Sequence, residues 1–109
     1  MIHIPDDIYE QIADYVRENG DIERENRNYA DHYCSLSGVQ FESSSVEGLI
    51  VEVDGWVTVY FYKSREMWGI EWCVRGASSS LSCKTWDEDG SVVVANDFDE
   101  NILHDSFQN

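Results

Sequence analysis

The sequence predicts an α+β fold: an N-terminal helix packed on a four- to five-stranded antiparallel meander-like sheet, with a short C-terminal helix. Three observations predict it. Apolar residues recur at helical spacing between Ile8 and Val16. Runs rich in valine, tyrosine and tryptophan alternate with period two between residues 46 and 95. The turn signals between those runs are too short for crossover connections, so neighbouring strands pair antiparallel.

The first helix follows Pro5, with Asp6 or Asp7 as its cap. Ile8, Ile12, Tyr15 and Val16 form its apolar stripe, and Gly20 after Asn19 stops it. Asp7, Glu10, Asp14 and Glu18 fall on the opposite side with Arg17 beside them. Residues 21–28 are polar and mixed in charge, and read as a connector or a short exposed helical turn. Tyr29 to Phe41 is a weak strand, broken near Ser37-Gly38. Ser43-Ser44-Ser45 is a loop. Val46 to Val53 and Trp56 to Lys63 flank Asp54-Gly55, a hairpin signal because both residues tolerate positive φ. After a turn at 64–66, Met67 to Arg75 is the next strand, and Gly76 to Ser80 is a small-residue loop. Leu81 to Trp86 and Ser91 to Ala95 form a second hairpin around Asp87-Glu88-Asp89-Gly90. The tail carries Asp97 or Asp99 as a cap, with Phe98, Ile102, Leu103 and Phe107 at helical spacing.

Alternation assigns the two sheet faces. Val57, Val59 and Phe61 share one face and form core with the helix stripe. Trp56, Tyr60 and Tyr62 share the other, which is aromatic but polar-tipped. That second face is either covered by the C-terminal helix or the 29–41 segment, or left open for a partner or for self-association.

Size and composition bound the rest. The 109 residues make one acidic α+β domain spanning 1–109, with 42% hydrophobic and 13% aromatic residues to build a core. No apolar run is long enough to span a bilayer, and Met1 to Asp7 does not read as a secretory signal. Cys34, Cys73 and Cys83 are an odd set without a C-x-x-C, which favours reduced thiols and a cytoplasmic location.

Charge is the loudest signal: 22 acids against 7 Lys and Arg, formally −15. Residues 1–35 carry −6, residues 36–86 carry −2, and residues 87–109 carry −7 without a single base. Such a field repels nucleic acid and anionic membrane and attracts basic proteins.

Chemistry-bearing motifs are weak by comparison. His3, His32, His104 and the three cysteines are potential metal ligands, but His32 and Cys34 are two apart, which is not the typical spacing of structural zinc sites. Asp87-Glu88-Asp89-Gly90 begins like a calcium loop, but the ligand pattern fails at later positions, with Phe98 where the bidentate Glu belongs. The serines sit in loop-like runs without a nucleophile elbow, and no glycine-rich phosphate loop occurs. The expectation is therefore a protein that is not an enzyme, with no catalytic residue, cofactor or metal.

Two functions remain. In size and composition the chain resembles small acidic proteins that mimic the charge of DNA, or immunity proteins that neutralise a basic nuclease. On that reading Asp7, Glu10, Asp14 and Glu18, about 6 Å apart along a helix, join Asp97, Asp99, Glu100 and Asp105. Together they bind a basic protein partner, such as a nucleic-acid-handling protein, without contacting nucleic acid or membrane. The alternative is a small monomeric or homodimeric domain that uses Trp56, Tyr60 and Tyr62 for self-association or a small ligand.

Overall fold

Ile8, Ile12 and Val16 lie one helical turn apart, and all three are fully buried on one side of α1 (Asp6–Glu18). In this computed structural model, residues 4–24, 28–66, 69–87, 89–94 and 98–108 are described, without the side chains of 24, 65, 66 and 69–71. Pro5, not an aspartate, takes the N-cap position of α1, and the Ile8 N–H donates to its carbonyl at 3.1 Å. Asp6 and Asp7 sit in the first turn, where a carboxylate still meets the positive end of the helix dipole.

Five strands follow in one antiparallel sheet whose spatial order is the chain order, a meander. They are β1 (Asp21–Arg24), β2 (Tyr29–Glu42), β3 (Ile50–Glu66), β4 (Gly69–Trp86) and β5 (Val92–Val94). A short α2 (Glu100–Ser106) ends the fold, and the Asp99 side chain caps it by accepting the Asn101 N–H at 2.9 Å. The α+β fold with both terminal helices is as the sequence predicts.

Several boundaries differ from expectation. Residues 21–24 are neither connector nor helical turn, since they pair with Ala30–Tyr33 as an edge strand. Asp54-Gly55 is not a turn. It lies inside the 17-residue β3, with β2 on one side and β4 on the other. Gly55 has φ 136° there, and a Cβ would collide with the Ser80 carbonyl oxygen, so the glycine serves close backbone approach. The hairpin that replaces it runs through residues 43–49, where Val46 belongs to the loop and strand pairing starts at Ile50. Residues 64–66 remain in β3 and pair out to Glu66↔Gly69; Met67 and Trp68 lie outside the described residues.

Gly76 to Ser80 is strand, not loop. These small residues lie opposite large ones, with Tyr60 facing Gly76 and Trp56 facing Ser80, and the Tyr60 hydroxyl meets Ser78 Oγ at 2.8 Å. Arg75 is the extra residue of a bulge, since pairing jumps from Tyr60↔Gly76 to Phe61↔Val74. The expected break near Ser37-Gly38 appears as a matching bulge in β2 rather than an end. The second hairpin forms as expected: Asp87 Oδ1 accepts the N–H groups of Asp89 and Ser91, an Asx-type turn.

Both helices pack on one face of the sheet. Val51, Val53, Val57, Val59, Cys34, Leu36, Phe41 and Cys83 form the core from the strands. Leu103 and Phe107 of the C-terminal segment join the α1 stripe above them. Tyr9 stacks on Phe98 at 5.0 Å and its hydroxyl accepts the Asp99 N–H, while Arg17 donates to the Ser106 carbonyl and lies over Phe107. A 13-residue helix is about 20 Å long, whereas a 17-residue strand is about 56 Å. The helices therefore cover only part of the core face. Where they stop, Ile22, Ala30, Phe61 and Trp72 line a shallow apolar hollow of about 240 Å³.

Candidate functional site: the open face of the sheet

Strand periodicity decides what the second face carries. Residues alternate sides, so burying Val57 and Val59 turns Trp56, Thr58, Tyr60 and Tyr62 outward together. Neither described helix lies on that side. The register adds Tyr29, Asp31 and Tyr33 from β2 and Asp21 and Glu23 from β1. Tyr29, Tyr33 and Tyr62 are each 40% exposed or more, while Trp56 and Tyr60 are half-buried. Trp56, Tyr60 and Tyr62, the aromatic set expected from alternation, thus share one surface with residues that strand reading of 29–33 alone did not single out. The signal for these lies in the same period: aromatic or acidic side chains stand at 29, 31 and 33, and acids at 21 and 23.

Across this face the pairs are Asp21 with Tyr33, Glu23 with Asp31, Tyr33 with Thr58, and Asp31 with Tyr60. The six side chains border an open cleft of about 410 Å³. Tyr33 and Trp56 stack diagonally with centroids 6.5 Å apart. Glu52 and Asp54 add negative charge further along β3. The cations beside them are engaged. Lys84 Nζ bonds Glu52 Oε2 at 2.7 Å, which holds the lysine above its ordinary value. The Arg75 guanidinium lies 4.9 Å from the Tyr29 ring centroid and 5.2 Å from that of Tyr60. Arg75 Nη2 stands 3.8 Å from Asp31 Oδ1.

The helical carboxylates are dispersed in role. Glu10, Asp14 and Glu18 are exposed along α1, and Asp14 pairs with Arg17 at 3.0 Å. Asp7 turns away from that row and clasps the 43–45 loop, accepting from Ser45 Oγ at 2.6 Å, the Ser44 N–H at 2.8 Å and Ser43 Oγ at 3.0 Å. The Ser45 hydroxyl, then the Ser44 N–H and the Ser43 and Gln11 side chains, outweigh partial burial and pull its pKa down to about 2. In α2, Asp99 is the cap, Glu100 accepts the Leu81 N–H at 3.2 Å, and Asp105 is exposed. Asp97 lies outside the described residues.

Two further groups bear on chemistry. Ser79 Oγ and His104 Nε2 are 2.9 Å apart, a nucleophile–base distance. Glu100, one helical turn from His104, accepts the Leu81 N–H through Oε1, and the Ser79–His104 contact likewise joins α2 to β4. His32 Nε2 bonds the Asn19 carbonyl at 2.8 Å, and Cys34 is sealed in the core, where burial pushes its thiol pKa up. Among the described residues no group of three or more His, Cys, Asp or Glu is placed to hold a metal ion. No described helix is long and apolar enough to cross a membrane. No protein-family model matches the chain, and comparisons with curated proteins and with solved structures likewise find no match.

Proposed function

We propose that this chain is a non-enzymatic interaction domain that binds a basic protein through the open face of its sheet. The observation that carries the reading is the cleft in which Asp21, Glu23 and Asp31 stand beside Tyr33 and Tyr60. Aromatic rings supply contact area at low entropy cost, and the carboxylates around them select positive charge. A nucleic-acid-handling protein offers such a partner, because its groove is built to exchange counterions for phosphate. Inhibition of a nuclease by charge mimicry, or immunity to one, is the role that fits this chemistry, in the cytoplasm where its thiols stay reduced. Glu10, Asp14, Glu18 and Asp105 are exposed on the two helices and are available for long-range attraction. The small-ligand alternative has less support: three of the six residues bordering the cleft of about 410 Å³ are carboxylates, whereas most ligand sites are lined mainly by apolar side chains.

The test is affinity capture from host lysate below about 0.1 M salt, where the screening length is about 10 Å. Three baits are compared: the wild type, a face variant (Tyr33→Ser, Trp56→Ser, Tyr62→Ser) and a helix variant (Glu10→Gln, Asp14→Asn, Glu18→Gln). The proposal expects a basic protein held by the wild type and helix variant and lost by the face variant. As purified protein it should bind with affinity falling linearly in log salt. Capture that survives the face variant, or a partner without excess positive charge, overturns the reading.

A further inference from the structure

The open face already holds one guanidinium. Arg75 lies over Tyr29 and Tyr60 with Asp31 at its edge, an arrangement of two rings and one carboxylate. A planar, weakly hydrated cation stacks on tyrosine in a way an ammonium does not. The surface chemistry of this face is therefore that of an arginine receptor, with its first arginine supplied by the chain itself.

Arg75 leaves that chemistry incompletely used. It approaches Asp31 from the β4 side, and its 3.8 Å contact is an ion pair beyond hydrogen-bond range. Asp31 Oδ1 is buried and accepts no hydrogen bond. From the other side Glu23 stands directly opposite Asp31 across the β1–β2 ladder. Like charges in that position repel, and a cation between them turns the repulsion into attraction. Asp21 and Tyr33, the next pair in the same ladder, complete the border of the cleft. β1 brings Asp21 and Glu23 to the cleft, β2 brings Asp31 and Tyr33, and β3 brings Thr58 and Tyr60, so carboxylates and phenol rings border the same space. They are the two features a guanidinium uses at once, by forked hydrogen bonds and by stacking.

We propose that the cleft bordered by Glu23, Asp31, Tyr33 and Tyr60 is a guanidinium subsite, entered by an arginine side chain of the partner. The arginine pairs with Glu23 and Asp31 and stacks on Tyr33. The subsite deepens the function proposed above and rests on it for the source of that arginine. It makes the domain selective for arginine over lysine at equal charge, as a binder of arginine-rich protein segments.

The experiment uses two probes, an oligo-arginine and an oligo-lysine peptide of equal length. Both are titrated into the full chain at low salt and followed by amide shifts and calorimetry. The subsite predicts that the arginine peptide binds roughly three- to thirtyfold more tightly, the range expected of a stacked cation, with shifts centred on Glu23, Asp31 and Tyr33. Glu23→Gln should weaken arginine binding several-fold, and Tyr33→Leu should lower the arginine affinity more than the lysine affinity, so that the preference disappears. Equal affinities with shifts on the sheet face overturn the subsite and leave the broader interaction reading standing. Equal affinities with shifts confined to α1 overturn both.

Discussion

The Gly38 N–H donates to Asp54 Oδ1 at 2.7 Å, tying the bulge of β2 to the Asp-Gly pair inside β3. Gly38 itself has φ 61°, the left-handed conformation that lets its N–H point at the carboxylate. The next residue, Gly55, passes so close to β4 that any side chain meets the Ser80 carbonyl. Gly55→Ala should therefore cost about 3 kcal/mol or more, combining backbone strain with overpacking. Asp54→Ala should cost about 1–2 kcal/mol through the lost hydrogen bond. Urea unfolding measures both, and a neutral Gly55→Ala would mean β3 is not continuous there.

Asp7 gives a pH-dependent prediction. Its pKa falls from an ordinary 3.8 to about 2 because the serines of the 43–45 loop bond its charged form. A depressed acid pKa stabilises the fold above the unfolded value, and that contribution is lost as pH falls from about 4 through about 2. With allowance for partial solvent screening, the clasp contributes about 1–2 kcal/mol at neutral pH. Asp7→Asn should lower stability by that amount at pH 6, and the gap between the two proteins should close by pH 2. Thermal unfolding along this pH series reads the difference directly. A gap that stays constant across it would show that the carboxylate charge is not what the serines bind.

How far the sequence reaches depends on whether the deciding contact is local. Ile8, Ile12 and Val16 announce α1 without help, and Asp99 and Asp87 announce the α2 cap and the β4–β5 turn, because each acts within four residues. Asp54-Gly55 misleads because tolerance of positive φ serves a tight turn and an interior close approach equally. The backbone of Ser80, 25 positions later, decides between them. Gly76 to Ser80 misleads in the same way, since their low strand propensity is overridden by Trp56 and Tyr60 lying opposite. In the candidate site, Trp56, Tyr60 and Tyr62 are legible from alternation alone. Asp21, Glu23 and Asp31 are not, because their meeting requires the β1–β2 register and β1 is only four residues long.

Thiol accessibility checks the layering of the sheet. Cys34 and Cys83 are each 2% exposed in the core, while Cys73 faces the open side opposite Tyr62. Thiolate is the reactive form, and burial raises the Cys34 pKa, which further slows its attack. A colorimetric disulfide reagent should modify one thiol per native chain quickly and the other two only on unfolding. Cys73→Ser should abolish the fast phase. A fast second thiol would show that the helices do not seal the core face.

Stability and binding should separate between the two faces. Leu103 is fully buried, and α2, at seven residues, has too few internal hydrogen bonds to persist without that docking. Leu103→Ala should cost about 2–5 kcal/mol. Trp56 and Tyr33 form a stacked pair on the open face, and the loss of the exposed Tyr33 forfeits a cross-strand contact and little burial, whereas Trp56 is half-buried. Tyr33→Ser should therefore cost about 1 kcal/mol or less in urea unfolding and Trp56→Ser about 2 kcal/mol, while each weakens the proposed basic partner or the oligo-arginine probe several-fold. Large exposed rings that add little to folding yet govern binding mark a surface kept for a partner. If both substitutions instead destabilise as much as Leu103→Ala, the aromatics are a second core, and the open face is not the binding surface.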